Sequence, residues 1–201
     1  MATGPRYKAT FRRRRQGKTD YHARRRMVIS PHPRLVVRIS STRIVAQVME
    51  ALPKGDRTIG FAESRHLKEF GWTAGVKNLP AAYLTGYLVG QRALKAGVTS
   101  AITDIGLALP IPGSRIFSVI KGAIDAGLKI HCSEKMFPSE KRISGEHIVT
   151  YANELSKDAP TEFKRQFGKV SKGRADLTKL PAMFETSKTN ITKKFQTRGS
   201  S

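Results

Sequence analysis

Arg34-Leu35-Val36-Val37-Arg38-Ile39-Ser40-Ser41-Thr42-Arg43-Ile44-Val45-Ala46-Gln47-Val48-Met49 decides the fold. Leu35 to Ile39 is apolar and rich in β-branched residues, which predicts a strand. Ser40-Ser41-Thr42 supplies a short turn, and Arg43 to Met49 reads as the hairpin partner. Arg34, Arg38 and Arg43 make one end or face of this hairpin basic. Pro53-Lys54-Gly55-Asp56 is turn chemistry again, and Arg57 to Ala62 is a plausible third strand, so the body opens as an antiparallel meander.

Downstream, residues 63–78 are polar and punctuated by glycine, with room for a short helix around Ser64–Phe70. Trp72 is either a stacking platform for a base or a plug anchoring the loop, and the plug is the preferred reading. Asn78 caps a helix running from Leu79 to about Lys95, with Pro80 in its first turn and Gly97 as its stop. Ala82, Gly86, Gly90 and Ala93 form a small-residue stripe that lets this helix press close to a sheet or another helix. Val98–Ile105 is an apolar run suited to a buried strand. Ser114 is placed to cap a second helix, Arg115–Ala126, with Ile116, Phe117, Ile120, Ala123 and Ile124 facing inward. Leu128–His131 closes the series as a short strand.

The order is therefore β-β-β-α-β-α-β. Crossover helices must cover the sheet, so residues 34–132 are expected to form a layered α/β domain. Residues 133–201 read as a basic, partly helical extension, with helices at Gly145–Leu155, Pro160–Phe167 and from Pro181 onward. Gly199-Ser200-Ser201 is expected to fray.

Upstream lies the densest charge. Ten of the first twenty-six residues are Lys or Arg, offset by Asp20 alone. Arg6, Lys8, Arg12, Arg13, Arg14, Arg15, Lys18, Arg24, Arg25 and Arg26 repel one another, so residues 1–33 read as an extended arm that orders against a polyanion. Tyr7, Phe11 and Tyr21 lie among the cations. Rings stack on unpaired bases and guanidinium forks grip phosphates, which points to RNA. Pro31-His32-Pro33 is a stiff hinge between arm and body.

Charge is positive throughout: the net +22 divides as +9 over residues 1–33, +7 over 34–137 and +6 over 138–201. Such an excess is tolerable when a polyanion neutralises it. No apolar run reaches the roughly 18–20 residues that span a bilayer, and no membrane contact is expected. Cys132 is the single cysteine, so a disulfide framework is impossible and a cytosolic setting is expected. Neither Cys132 nor its neighbour His131 has the partners of a nucleophile or metal ligand. No cofactor, metal or catalytic residue is expected.

Several segments together resemble one family. Phe11-Arg12-Arg13-Arg14-Arg15-Gln16-Gly17-Lys18-Thr19-Asp20-Tyr21 is similar to the N-terminal signature of the large-subunit ribosomal proteins that bind 5S rRNA. These are called L-eighteen in bacteria and archaea and L-five in eukaryotes. Pro53 to Thr58, Pro80 to Gly86, Ala93 to Val98, Asp104 to Leu107, Gly113 to Phe117 and Gly145 to Ile148 continue the resemblance in the same order. The long arm and the extension resemble the archaeal and eukaryotic branch, and the length favours an archaeal source.

The resemblance implies a ribonuclease-H-like α/β fold. It also implies a place in the central protuberance, binding 5S rRNA and bridging it to the large-subunit (23S-type) rRNA beside the ribosomal protein L-five of bacterial naming. Carried onto this chain, the RNA-binding set is Tyr7, Phe11, Arg12 to Arg15, Lys18, Tyr21 and Arg24 to Arg26 in the arm, Arg34, Arg38 and Arg43 in the hairpin, and Ser114 and Arg115 at a helix start. Arg65, His66 and Lys68 in the 63–78 loop complete it. A helix start also presents free amides to a phosphate.

Two rival functions compete with this one. A metal-dependent nuclease on this sheet needs converging carboxylates. The strands offer Asp104, with Glu50 and Glu63 near strand ends, and Asp104 reads better as capping a turn or holding an arginine. A nonspecific DNA-binding or chromatin protein would be basic too, but no helix-turn-helix or zinc spacing occurs, and the aromatic-basic arm suits irregular RNA better than duplex.

Overall fold

The computed structural model describes residues 4–172 and 177–196. Two short helices, α1 (Arg12–Arg15) and α2 (Tyr21–Ile29), precede the sheet. Strands β1 (Arg34–Ile39), β2 (Ile44–Leu52) and β3 (Gly55–Glu63) form the expected antiparallel meander. Helix α3 (Leu79–Lys95) crosses to β4 (Ile102–Asp104), which runs parallel to β1. The sheet order is β3-β2-β1-β4.

Side-chain alternation assigns the two faces of the sheet. Leu35 and Val37 of β1, Ile44, Ala46 and Val48 of β2 and Ala62 of β3 join one apolar core. That face is covered by α3 and α4 (Arg115–Asp125). The glycines explain how closely the two helices meet. A Cβ at Gly86 would overlap the carbonyl oxygen of Val119, and one at Gly122 would overlap that of Tyr83. The small-residue stripe thus serves a helix–helix contact. Helix α3 ends with Gly97 at φ +84°, where the Gly97 amide donates to Leu94 O at 2.9 Å and the Val98 amide to Ala93 O at 3.0 Å.

Two expected strands contract. Of Val98–Ile105, the sheet takes only Ile102–Asp104. The Asp104 side chain accepts the Gly106 amide at 2.9 Å, a turn that bends the chain away as soon as β4 has formed. Leu128–His131 is not a strand. It contributes a single parallel bridge, Ser100 to Lys129.

The C-terminal region is more integrated than its narrow apolar faces suggest. After α5 (Glu140–Ser144), which the sequence pattern does not announce, come α6 (Glu146–Asp158), α7 (Pro160–Lys172) and α8 (Leu180–Gln196). Leu180, Phe184, Ser187 and Ile191 are buried along one side of α8. Phe184 packs on Tyr83 of α3 with ring centroids 5.3 Å apart, and Thr192 meets the Tyr87 hydroxyl at 2.9 Å. Burial of each large apolar side chain is worth roughly 1.5–3 kcal/mol, enough for three of them to hold α8 against the body. Gly199-Ser200-Ser201 lies outside the described residues.

Candidate nucleic-acid interface

Helix α1 is four consecutive arginines, all exposed, with no acid in its first turn. Its geometry is held locally. Arg13 Nε donates to Thr19 Oγ1 at 2.9 Å, and Gly17 turns the chain at φ +60°. Asp20 then caps α2, accepting the His22 amide at 2.8 Å and the Ala23 amide at 3.2 Å. Those two bonds hold its carboxyl below the ordinary range. Phe11 and Tyr21 pack with centroids 4.9 Å apart, while Tyr7 is exposed. The arm is therefore not the fully extended chain that charge repulsion predicts. A cap, a glycine turn and a ring pair fold it into two helices whose arginines, Arg24 apart, radiate into solvent.

Helix α2 meets the side of the sheet opposite α3 and α4. There, Arg34, Val36 and Arg38 of β1 point the other way from Leu35 and Val37. Arg24 Nη2 lies 2.9 Å from Asp56 Oδ2, and Arg34 Nη2 lies 2.8 Å from the same oxygen. The second contact is an ion pair without hydrogen-bond alignment. Arg34 Nη1 bonds Asp104 Oδ2 at 3.2 Å, and Arg38 Nη2 bonds Asp104 Oδ1 at 2.9 Å. Arg38 Nη1 also donates to Val37 O and Asp104 O. A cavity of about 90 Å³ remains in the seam, walled by Arg13, Lys18, Asp20, Arg24, Arg38 and Asp104 among others.

This network sorts the predicted RNA residues. Arg12 to Arg15, Lys18, Arg25, Arg26 and Arg38 present open surface. Arg34 does not: its side chain is 2% exposed and braces Asp56 and Asp104, which corrects its placement among surface contacts. Its position at the very start of the strand leaves its facing open in the sequence. Asp104 does what was expected of it, holding arginines and capping a turn. Burial pushes the Asp56 carboxyl upward, but the close guanidiniums of Arg34 and Arg24 outweigh this and leave it below its ordinary range.

Farther along the sheet, Arg43 and Arg65 both pair with Glu63, at 3.3 and 3.4 Å, and stay half-exposed. His66 Nδ1 accepts the Glu63 amide at 3.3 Å, closing a reciprocal cap on the 3-10 turn Ser64–Phe70. His66 is thus committed to local structure, whereas Lys68 is exposed. Trp72 is fully buried and donates to Gly75 O at 3.2 Å, so it is the plug and no stacking platform.

At the start of α4, Arg115 donates to Lys77 O at 3.3 Å. Ser114 takes the capping position, but its hydroxyl turns inward, makes no capping bond and has no partner among the described residues. The side-chain cap read from the sequence is therefore not made. Burial raises the Cys132 thiol, which keeps it protonated at neutral pH.

Asp56 is the residue of this network that sequence reasoning missed. In the sequence it reads only as turn chemistry between strands. Its signal is an isolated acid between Lys54 and Arg57 in a basic chain.

The sequence profile described as ribosomal large subunit proteins 60S L5 and 50S L18 matches residues 5–100. Proteins named large ribosomal subunit protein uL18 are similar over nearly the whole chain. That of Staphylothermus marinus is 47% identical over 197 residues, covering 98% of each chain. That of Thermofilum pendens is 45% identical over 196 residues, covering 98% of this chain and all of its own. That of Methanothermobacter thermautotrophicus is 47% identical over 191 residues, covering 95% of this chain and 98% of its own.

Proposed function

The chain belongs to the ribosomal large-subunit protein family of 60S L5 and 50S L18, archaeal in its relatives, and we propose that it binds 5S rRNA and attaches it to the large-subunit (23S-type) rRNA in the central protuberance. The observation that carries the reading is the arm. Arg12 to Arg15 on α1, Lys18 between the helices, and Arg25 and Arg26 on α2 are exposed, beside the exposed ring of Phe11. Arginine forks suit phosphates and exposed rings suit unpaired bases. Release of counterions from the RNA drives such binding.

The finer reading has three parts. Residues 1–33 grip RNA, residues 34–132 supply the folded surface, and residues 133–201 brace that surface and face neighbouring ribosomal proteins, including the L-five family of bacterial naming. Arg38, Arg43, Arg65 and Lys68 extend the RNA-binding face beyond the arm, and Arg115 with the first amides of α4 offers a separate phosphate contact. The sheet order, with β4 parallel to β1 and the Ser100–Lys129 bridge beyond it, supports a ribonuclease-H-like arrangement.

The role is structural rather than catalytic. Asp104, the acid that a nuclease on this sheet would need, is engaged by Arg34 and Arg38. Among the described residues no helix is long and apolar enough to cross a membrane. The place of action is the cytoplasmic ribosome. Co-sedimentation tests the bridging role: 5S rRNA should travel with large-subunit rRNA when the chain is present and separate from it when the chain is omitted. Independent sedimentation of the two RNAs with the chain present contradicts it.

A further inference from the structure

Asp56 carries the same sign of charge as the ligand proposed for its own interface. A chain of net charge +22 that binds a polyanion should gain affinity from every acid removed near the contact. Yet this carboxylate lies at the seam, only 16% exposed, 2.9 Å from Arg24 of α2 and 2.8 Å from Arg34 of β1. The nearby Glu50 differs: its pair with Arg57 at 2.9 Å is an exposed contact within the meander that does not involve the arm.

Helix α2 has little else to fix it. No residue of it is buried, and its own cap, Asp20, is exposed. Its half-buried side chains are Tyr21, Ala23, Arg24 and Met27. Arg34 cannot withdraw, because Asp104 grips its other nitrogen from β4. Asp56 is therefore clamped from the body side and offers the arm a rigid anchor.

We infer that Asp56 is a positioning residue of the RNA interface: by tying Arg24 to the Arg34–Asp104 pair it docks α2 on the sheet before RNA arrives. This rests on the 5S rRNA reading above. Docking presents Lys18, Arg25 and Arg26 as a fixed array. A loose tail would give up its conformational entropy during binding, whereas a docked helix has given up part of it beforehand. The geometric gain of the anchor exceeds the repulsion of one screened carboxylate.

The sign of one substitution separates this from simple electrostatics. Asp56→Asn in the full chain removes a negative charge, so a charge-only interface binds RNA as tightly or tighter. The positioning role instead requires 5S rRNA affinity to fall, by about tenfold on the scale of ordering a few side chains. Transfer RNA, as the nonspecific reference, should bind Asp56→Asn no more weakly than wild type. Hydrogen exchange on the free protein should show the α2 amides losing protection while the α3 amides keep theirs.

A cycle with Arg24→Gln locates the effect: in that background Asp56→Asn should cost no further affinity. Where thermal melting shows Asp56→Asn unfolded, Arg24→Gln carries the test alone through α2 exchange, since it leaves Asp56 paired with Arg34. Unchanged α2 exchange in these variants, or undiminished 5S affinity in folded Asp56→Asn, overturns the inference. So does an equal loss in the Arg24→Gln background, which would place the effect in the body. Failure of wild type to prefer 5S rRNA over transfer RNA defeats the 5S reading instead, and α2 exchange still reports on docking.

Discussion

Arg34 and Asp104 meet at 3.2 Å across β1 and β4, and their side chains are 2% and 7% exposed. A guanidinium this deep is tolerated because two carboxylates face it. Replacing Arg34 with Ala takes one guanidinium from Asp56 and one from Asp104, leaving Arg24 and Arg38 as their remaining partners, and should destabilise the fold by roughly 1–3 kcal/mol in urea unfolding. Arg34→Lys should recover only part of this, since an ammonium cannot reach both acids with a planar fork. A loss below about 1 kcal/mol, as for an exposed pair, would show that Arg34 does not brace the sheet.

The packing of α3 on α4 leaves no room for a methyl. Gly86→Ala and Gly122→Ala each press a Cβ into a backbone carbonyl of the facing helix. Each should cost about 1–3 kcal/mol or more, even though alanine favours helix. Thermal melting checks this, and a rise in Tm would contradict the close packing.

Docking of the arm should fade in acid. The Asp56 carboxyl lies below its ordinary range because Arg34 and Arg24 outweigh the upward push of burial. A depressed carboxyl contributes its stabilisation fully above the ordinary value and loses it as pH falls through the lower, folded value. The charged groups facing it are Arg24 from α2 and Arg34 from β1. Protection of the α2 amides should therefore hold above about pH 4 and fall below it. In Asp56→Asn that dependence should shrink to the part carried by the Asp20 cap of α2.

Much of the architecture is legible from local pattern. The hairpin at Arg34–Met49 shows because β-branched residues flank a Ser-Ser-Thr turn, and α3 shows because Asn78, Pro80 and Gly97 bracket it. What escapes depends on distant partners. Asp104 reads as a turn cap or an arginine partner, but nothing in Val98–Ile105 announces that the sheet will take only Ile102–Asp104. The face of α8 looks too narrow to dock until Tyr83 and Tyr87 are placed opposite it. For the candidate site, the exposed arm cations follow from charge density, whereas the burial of Arg34 follows only from the approach of Asp56 and Asp104. Thr19-Asp20 is a readable helix start, masked by the arginines around it.

Helix α8 should matter to the body's stability. Ile191 is fully buried against the same core as Leu67 and Leu84. Ile191→Ala should cost about 2–5 kcal/mol, read by urea unfolding as a shift in midpoint. An unchanged midpoint would mean that α8 rides on the surface.

The arm's arginines should act on RNA and not on folding. Changing Arg12, Arg13, Arg14 and Arg15 together to Ala should leave the unfolding midpoint of the body nearly unchanged, since none is buried. It should reduce the slope of log affinity against log salt by about 0.7–0.9 for each phosphate that is no longer neutralised. An unchanged slope would remove α1 from the interface.

The most direct measurement is a salt titration of binding to 5S rRNA by the full chain, with transfer RNA and a duplex DNA of similar length as competitors. Recognition of RNA shape requires 5S rRNA to win by orders of magnitude at about 0.15–0.2 M salt. If all three ligands bind alike and all dissociate together as salt rises, the positive surface is a nonspecific coat and 5S recognition is contradicted.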